Sequence, residues 1–141
     1  MKKRRNRTIG EPLVRAACYL GSDVKAYEIP RNGIGRQWYV TGELWWEATF
    51  RNGQNHGEYI EYYKDGTVSR RIMYNNGGRH GLYASFYPDG KKQYETMFNN
   101  NKPVWSKQFY PSGCLMADKR FSKGKTADEQ FFPDVYTEES K

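Results

Sequence analysis

The chain has 141 residues, 37% of them hydrophobic and 16% aromatic, and a formal net charge of +7, which suits one ordinary domain whose apolar surface is carried largely by rings. No apolar run reaches the roughly 18 residues of a membrane-spanning helix. The two cysteines, Cys18 and Cys114, form no disulfide framework and are expected as reduced thiols in an intracellular compartment, cytoplasm or nucleus.

Residues 1–10 read as a basic arm. Lys2, Lys3, Arg4, Arg5 and Arg7 put five positive charges and no acid into the first seven residues. Such a run suits nucleic acid, anionic lipid or an acidic protein partner, or serves as a nuclear address. Glu11 and Arg15 interrupt any apolar core behind it, so it does not read as a secretion signal. Residues 11–37 read as a degenerate repeat or cap. Cys18-Tyr19-Leu20-Gly21-Ser22-Asp23-Val24 looks like the later segment Phe109–Leu115, and Asn32-Gly33 follows Ser22 by about the interval of a second turn.

From residue 38 to 124 two turn series interleave. Tyr39–Gly42, Tyr63–Gly66, Tyr87–Gly90 and Tyr110–Gly113 form the first, with glycines 24, 24 and 23 residues apart. Gly53, Gly77, Asn101 and Gly124 close the second, each 11 residues later. Asp-Gly and Asn-Gly supply the positive φ of tight antiparallel connections, so Gly42, Gly53, Gly66, Gly77, Gly90, Gly113 and Gly124 are structural turn residues. Asn101 holds the one slot without glycine, as the residue next best able to enter the left-handed region. Between turns the residues alternate: Leu44, Trp46, Ala48 and Phe50 fall on one side, followed by Val68, Arg70, Ile72 and Tyr74, Lys92, Tyr94, Thr96 and Phe98, and Leu115, Ala117, Lys119 and Phe121. Period two with Tyr, Phe, Trp, Val and Ile reads as strand. The predicted fold is all-β, a repeat protein built as a single twisted antiparallel meander sheet of about four to five β-hairpins with irregular terminal arms. Residues 125–141 read as an acidic, aromatic tail, with Phe131, Phe132, Pro133, Val135 and Tyr136 available to dock or to insert into a partner.

The pattern His56-Gly57-x-Tyr59-x-x-Tyr62-Tyr63-x-Asp65-Gly66-x-Val68, closing in Tyr74-x-Asn76-Gly77, resembles the MORN repeat in its variant form. His80-Gly81 through Asn100 repeats it, while the fourth unit has Pro103-Val104 in place of the His-Gly step. The resemblance implies a sheet used for protein contacts, sometimes proposed for acidic lipids, with no catalytic residues and no cofactor. It implies a structural or scaffold component of a larger assembly such as a virion. Its alternatives are an antitoxin or immunity-like protein neutralising a toxic partner, and a binder of nucleic acid or acidic lipid through the basic arm.

Candidate chemistry is sparse. His56 and His80 sit at equivalent positions about 9–10 Å apart by strand spacing, too few for a zinc site, which wants three or four converging ligands. The expectation is therefore no metal site and no enzyme. In the cluster Trp38, Trp45 and Trp46, Trp46 belongs to the apolar face, and Trp38 and Trp45 with Arg36 and Arg51 form the candidate partner-binding patch, because exposed tryptophan flanked by arginine is typical of contact hot spots; the alternative is that residues 8–30 fold over it as a cap.

Overall fold

Two kinds of turn alternate down the chain, and each fixes the strand that follows. The computed structural model describes residues 29–135. Nine strands run in chain order: β1 Gly33–Trp38, β2 Leu44–Arg51, β3 Gln54–Tyr62, β4 Val68–Asn75, β5 Gly78–Phe86, β6 Lys92–Asn99, β7 Lys102–Phe109, β8 Leu115–Ser122 and β9 Lys125–Phe131. Each pairs antiparallel with its sequence neighbours, so the strand order of the sheet is the order of the chain. The result is a single open meander, as the turn series predicts.

The tight turns after β2, β4, β6 and β8 put both central residues at positive φ: 51° and 78° at Asn52-Gly53, 47° and 66° at Asn100-Asn101, 51° and 76° at Lys123-Gly124. That is the mirror-image turn whose twist matches right-twisted strands. Asn101 enters the left-handed region as expected, and Lys123 joins it without glycine's freedom. The wider turns are closed by paired backbone bonds, for example Tyr63 N–H to the Thr67 carbonyl at 2.8 Å and Gly66 N–H to the Tyr63 carbonyl at 2.9 Å.

Successive units are stitched along both margins of the sheet. On one margin the tyrosine that opens each wide turn reaches the next unit: Tyr39, Tyr63, Tyr87 and Tyr110 donate their hydroxyls to the carbonyls of Tyr62, Phe86, Phe109 and Phe132 at 2.7–3.1 Å. On the other margin the tight turns hang on the preceding unit. Gly53, Gly77 and Asn101 donate their N–H to the carbonyls of Arg31, Asn55 and Arg79 at 2.7–2.8 Å. These bonds join residues 22–23 apart and convert a sequence period into a spatial one.

The same margin explains the His-Gly step. Nδ1 of His56 accepts the Asn76 N–H at 3.2 Å, and Nδ1 of His80 accepts the Asn100 N–H at 3.3 Å. Asn32 does the same for the first unit, its Oδ1 accepting the Asn52 N–H at 3.0 Å. Gly33, Gly57 and Gly81 share φ near +100°. Asn32-Gly33 is therefore a His-Gly equivalent opening β1, not the closing turn the spacing from Ser22 suggests. A tight turn has positive φ at both centres, whereas Asn32 is not among the positive-φ residues. Residues 18–28 of that segment lie outside the described residues.

Where the step is lost, the bulge shrinks. Between β4 and β5 the register moves from Tyr74 opposite Arg79 to Ile72 opposite Tyr83, leaving two extra residues on β5. Between β6 and β7 it moves from Phe98 opposite Pro103 to Met97 opposite Trp105, leaving one. That missing residue accounts for the 23-residue interval between Gly90 and Gly113.

The sheet also outgrows residues 38–124 at both ends. β1 begins at Gly33, and Lys125–Phe131, grouped with the tail on charge, folds back on β8 as β9. The Lys123-Gly124 turn dictates this, and Phe132 N–H continues the pairing to the Met116 carbonyl at 2.9 Å. The densest packing lies at the β1–β3 end, where Trp46, Ala48 and Phe50 are at most 6% exposed, with Ile29, Trp45 and Tyr59 against them. Gly35 allows this: a Cβ there would stand 2.8 Å from the Phe50 ring and 2.9 Å from Pro30.

Candidate interaction surfaces

The residues of the predicted patch do not converge. Arg36 is opposite Glu47 and pairs with it at 3.1 Å. Trp38 ends β1 half-exposed. Trp45 packs against the Trp46–Ala48–Phe50 cluster and lies 6.0 Å from the Tyr39 ring, and the Lys64 ammonium lies 5.3 Å from the centre of that ring. Arg51 stands at the other end of β2, six residues from Trp45, roughly 20 Å along the strand. Trp38, Trp45 and Arg36 thus share one end of β1–β2, and Arg51 belongs to the opposite margin. The period-two reading could not see this, because it fixes the face of a side chain but not its position along the strand. The basic arm, Lys2, Lys3, Arg4, Arg5 and Arg7, lies outside the described residues, as does Cys18. Cys114 is half-buried and forms no disulfide with any described residue.

The register sorts the side chains into two faces. One bears the Trp46, Ala48, Phe50 side, and aromatic rings continue across it: Trp46 to Tyr59 at 5.7 Å and Tyr59 to Tyr74 at 6.4 Å. Tyr59 donates its hydroxyl to Glu61 at 3.2 Å. Burial pushes its phenol well above the usual tyrosine range, and the Glu61 charge adds to the shift, so Tyr59 stays a donor. Farther along this face Arg70 pairs with Glu61 at 3.3 Å. Beyond them a cleft of about 330 Å³ opens between β3 and β6, and a second of about 220 Å³ lies between β6 and β8.

The other face carries a belt that the sequence reading did not isolate. Leu82 stands opposite Met97 and Met97 opposite Trp105. Met73 adjoins them, its Cβ 3.2 Å from where a Cβ on Gly81 would be. Met73 is 39% and Leu82 37% exposed. The belt crosses β4 to β7, about 14 Å of sheet. Charge frames it: Arg71 pairs with Glu58 at 2.6 Å, and the Lys107 ammonium lies 5.7 Å from the Trp105 ring centre. The belt was legible in principle, since Met73 and Met97 are one 24-residue repeat apart.

His56 and His80, weighed above as a metal pair, turn their Nδ1 atoms to the tight turns. No helix among the described residues is long and apolar enough to cross a membrane.

A family model described as "MORN repeat variant" matches residues 55–76 and 79–100. No curated protein matches the chain significantly. Among solved structures, two of TarM, the second a single-residue mutant of the S. aureus protein, are similar at 15% identity and a TM-score of 0.44, over 86% of this chain. The chain spans 24% of their length.

Proposed function

Because the MORN repeat variant model matches residues 55–76 and 79–100, we propose that the chain is a non-enzymatic interaction module and a structural or scaffold component of a larger assembly, docking a protein partner on the Met73–Leu82–Met97–Trp105 belt. One observation carries this reading. Four large apolar side chains lie side by side on four consecutive strands, half-exposed, with charged residues around them. Apolar centres with a polar rim are the anatomy of protein interfaces, tryptophan is enriched at their hot spots, and methionine adapts to a partner's contour. A single-layer sheet buries less than a two-layer domain, so covering this face with a partner adds stability as well.

The test is affinity capture with the full tagged chain, comparing the native protein with Trp105→Ala, with Met73→Asp, and with a deletion of residues 1–7. The belt variants should lose partners at every salt concentration, Trp105→Ala by about 2 kcal/mol or roughly 30-fold, while melting as the native protein does. The deletion should weaken capture mainly at low ionic strength, because exposed charge acts at long range and is screened. Silent belt variants beside a deletion that abolishes capture at all salts would make the basic arm the functional element.

A further inference from the structure

On the face opposite the belt, the two clefts form one trough. Arg70, Ser85, Tyr94, Gln108 and Ala117 stand directly opposite one another across β4 to β8. Tyr94 lines both clefts. Four strand spacings make the row roughly 19 Å long. Three features restrict what it can hold.

The first is charge. Arg70 is paired with Glu61 at 3.3 Å and Lys119, in the second cleft, with Glu129 at 2.6 Å. Each cation already has its carboxylate, so the trough offers an anion or a cation little net attraction. The second is lining. Five of the ten residues around the larger cleft are tyrosines and the others are Glu61, Arg70, Gln93 and two serines, with no aliphatic side chain among them. A hydrocarbon chain would gain the ring faces but strip water from these polar groups and leave them without partners, which costs more than it returns. The third is unspent hydrogen-bonding capacity. Ser85 is 7% exposed and its Oγ has no partner, as has the buried Oγ of Ser69. The Tyr83 and Tyr94 hydroxyls take part in no hydrogen bond among the described residues. Buried polar atoms are normally satisfied, and the two buried serine hydroxyls, beside half-buried tyrosine hydroxyls in the same cleft, mark a place for a ligand.

We propose that this trough binds a neutral oligosaccharide lying across the strands. A sugar ring offers hydroxyls that both donate and accept, matching the mixed set of serine, tyrosine, glutamine and paired Arg–Glu groups. Its C–H faces pack on the tyrosine rings, whose faces are electron-rich. The length of the row admits several rings in succession, with Tyr94 as the wall between two subsites.

The test is calorimetric titration of the full chain with maltohexaose, cellohexaose and N-acetylchitohexaose, beside a sulfated heparin hexasaccharide and an uncharged peptide of similar length. At least one neutral hexasaccharide should bind, with an affinity that does not change between low and high salt. Tyr94→Ala should weaken it roughly tenfold or more, since both subsites lose a wall. Ser85→Ala should weaken it severalfold yet melt at the same temperature or higher, because it removes a buried hydroxyl that no described residue pairs with. That opposite movement of stability and binding separates a ligand contact from a structural role. The proposal is overturned if none of the three neutral sugars binds at millimolar concentration, if the sulfated sugar or the peptide binds and they do not, or if Ser85→Ala leaves sugar binding unchanged.

Discussion

The hydroxyl of Tyr63 donates to the main-chain carbonyl of Phe86 at 2.7 Å, joining one repeat to the next across 23 residues. Phe86 is the residue just before Tyr87, which makes the same bond to Phe109 at 2.8 Å. Each rung therefore positions the residue that starts the following one. The phenol of Tyr87 is pushed up by the small desolvation it meets there, which keeps it a donor.

Tyr63→Phe removes one rung and keeps the ring. It should cost about 1 kcal/mol, the usual net worth of a single hydrogen bond. Denaturant unfolding of the variant checks this, and Tyr87→Phe should cost a similar amount. A loss at Tyr63 alone would mean that the rungs are not equivalent repeat contacts.

Gly66→Val and Gly90→Val test the wide turns. Both glycines have φ near +88° and open space where a Cβ would stand. The cost is then backbone strain without a clash, about 1–3 kcal/mol for a β-branched residue. Thermal melting unchanged in both variants would refute the turn geometry.

His56→Ala and His56→Asn separate the role of the acceptor from that of the ring. Alanine leaves the Asn76 N–H without its partner and should lower stability by about 1 kcal/mol. Asparagine should restore most of it, because Asn32 already performs this task for Asn52 at 3.0 Å. Chemical denaturation of the pair is the measurement, and equal losses in both would show that the imidazole acts through packing.

Acid should weaken the wide turns. Asp65 is held below the usual carboxylate range by the Thr67 hydroxyl at 2.6 Å and the Thr67 N–H at 2.9 Å. A group with a lowered folded value stabilises above its unfolded value, and that contribution disappears as pH falls through the folded one. Stability should therefore drop from about pH 4 downward, and Asp65→Asn should flatten that limb. Melting curves across this range of pH decide it; identical slopes for variant and native protein would exclude Asp65 as a contributor.

The period, the alternation and the turns follow from local residue preferences alone. Asn52-Gly53, Tyr63–Gly66 and their repeats act through φ preferences within two to four residues, and such preferences hold wherever the segment lies. The sorting of Trp46, Ala48 and Phe50 to one face follows equally from period two. Whatever depends on pairing between strands emerges only in the folded sheet. That pairing made Asn32 an acceptor for a turn 20 residues away, turned Lys125–Phe131 into a strand, and separated Arg51 from Trp45. It also set Met73 beside Leu82, and Arg70 beside Ser85 and Tyr94. The physical reason is the bulge at each His-Gly step. It holds two extra residues where the step is kept and one where Pro103-Val104 replaces it, and it sets the register between strands, which no φ preference within one turn specifies.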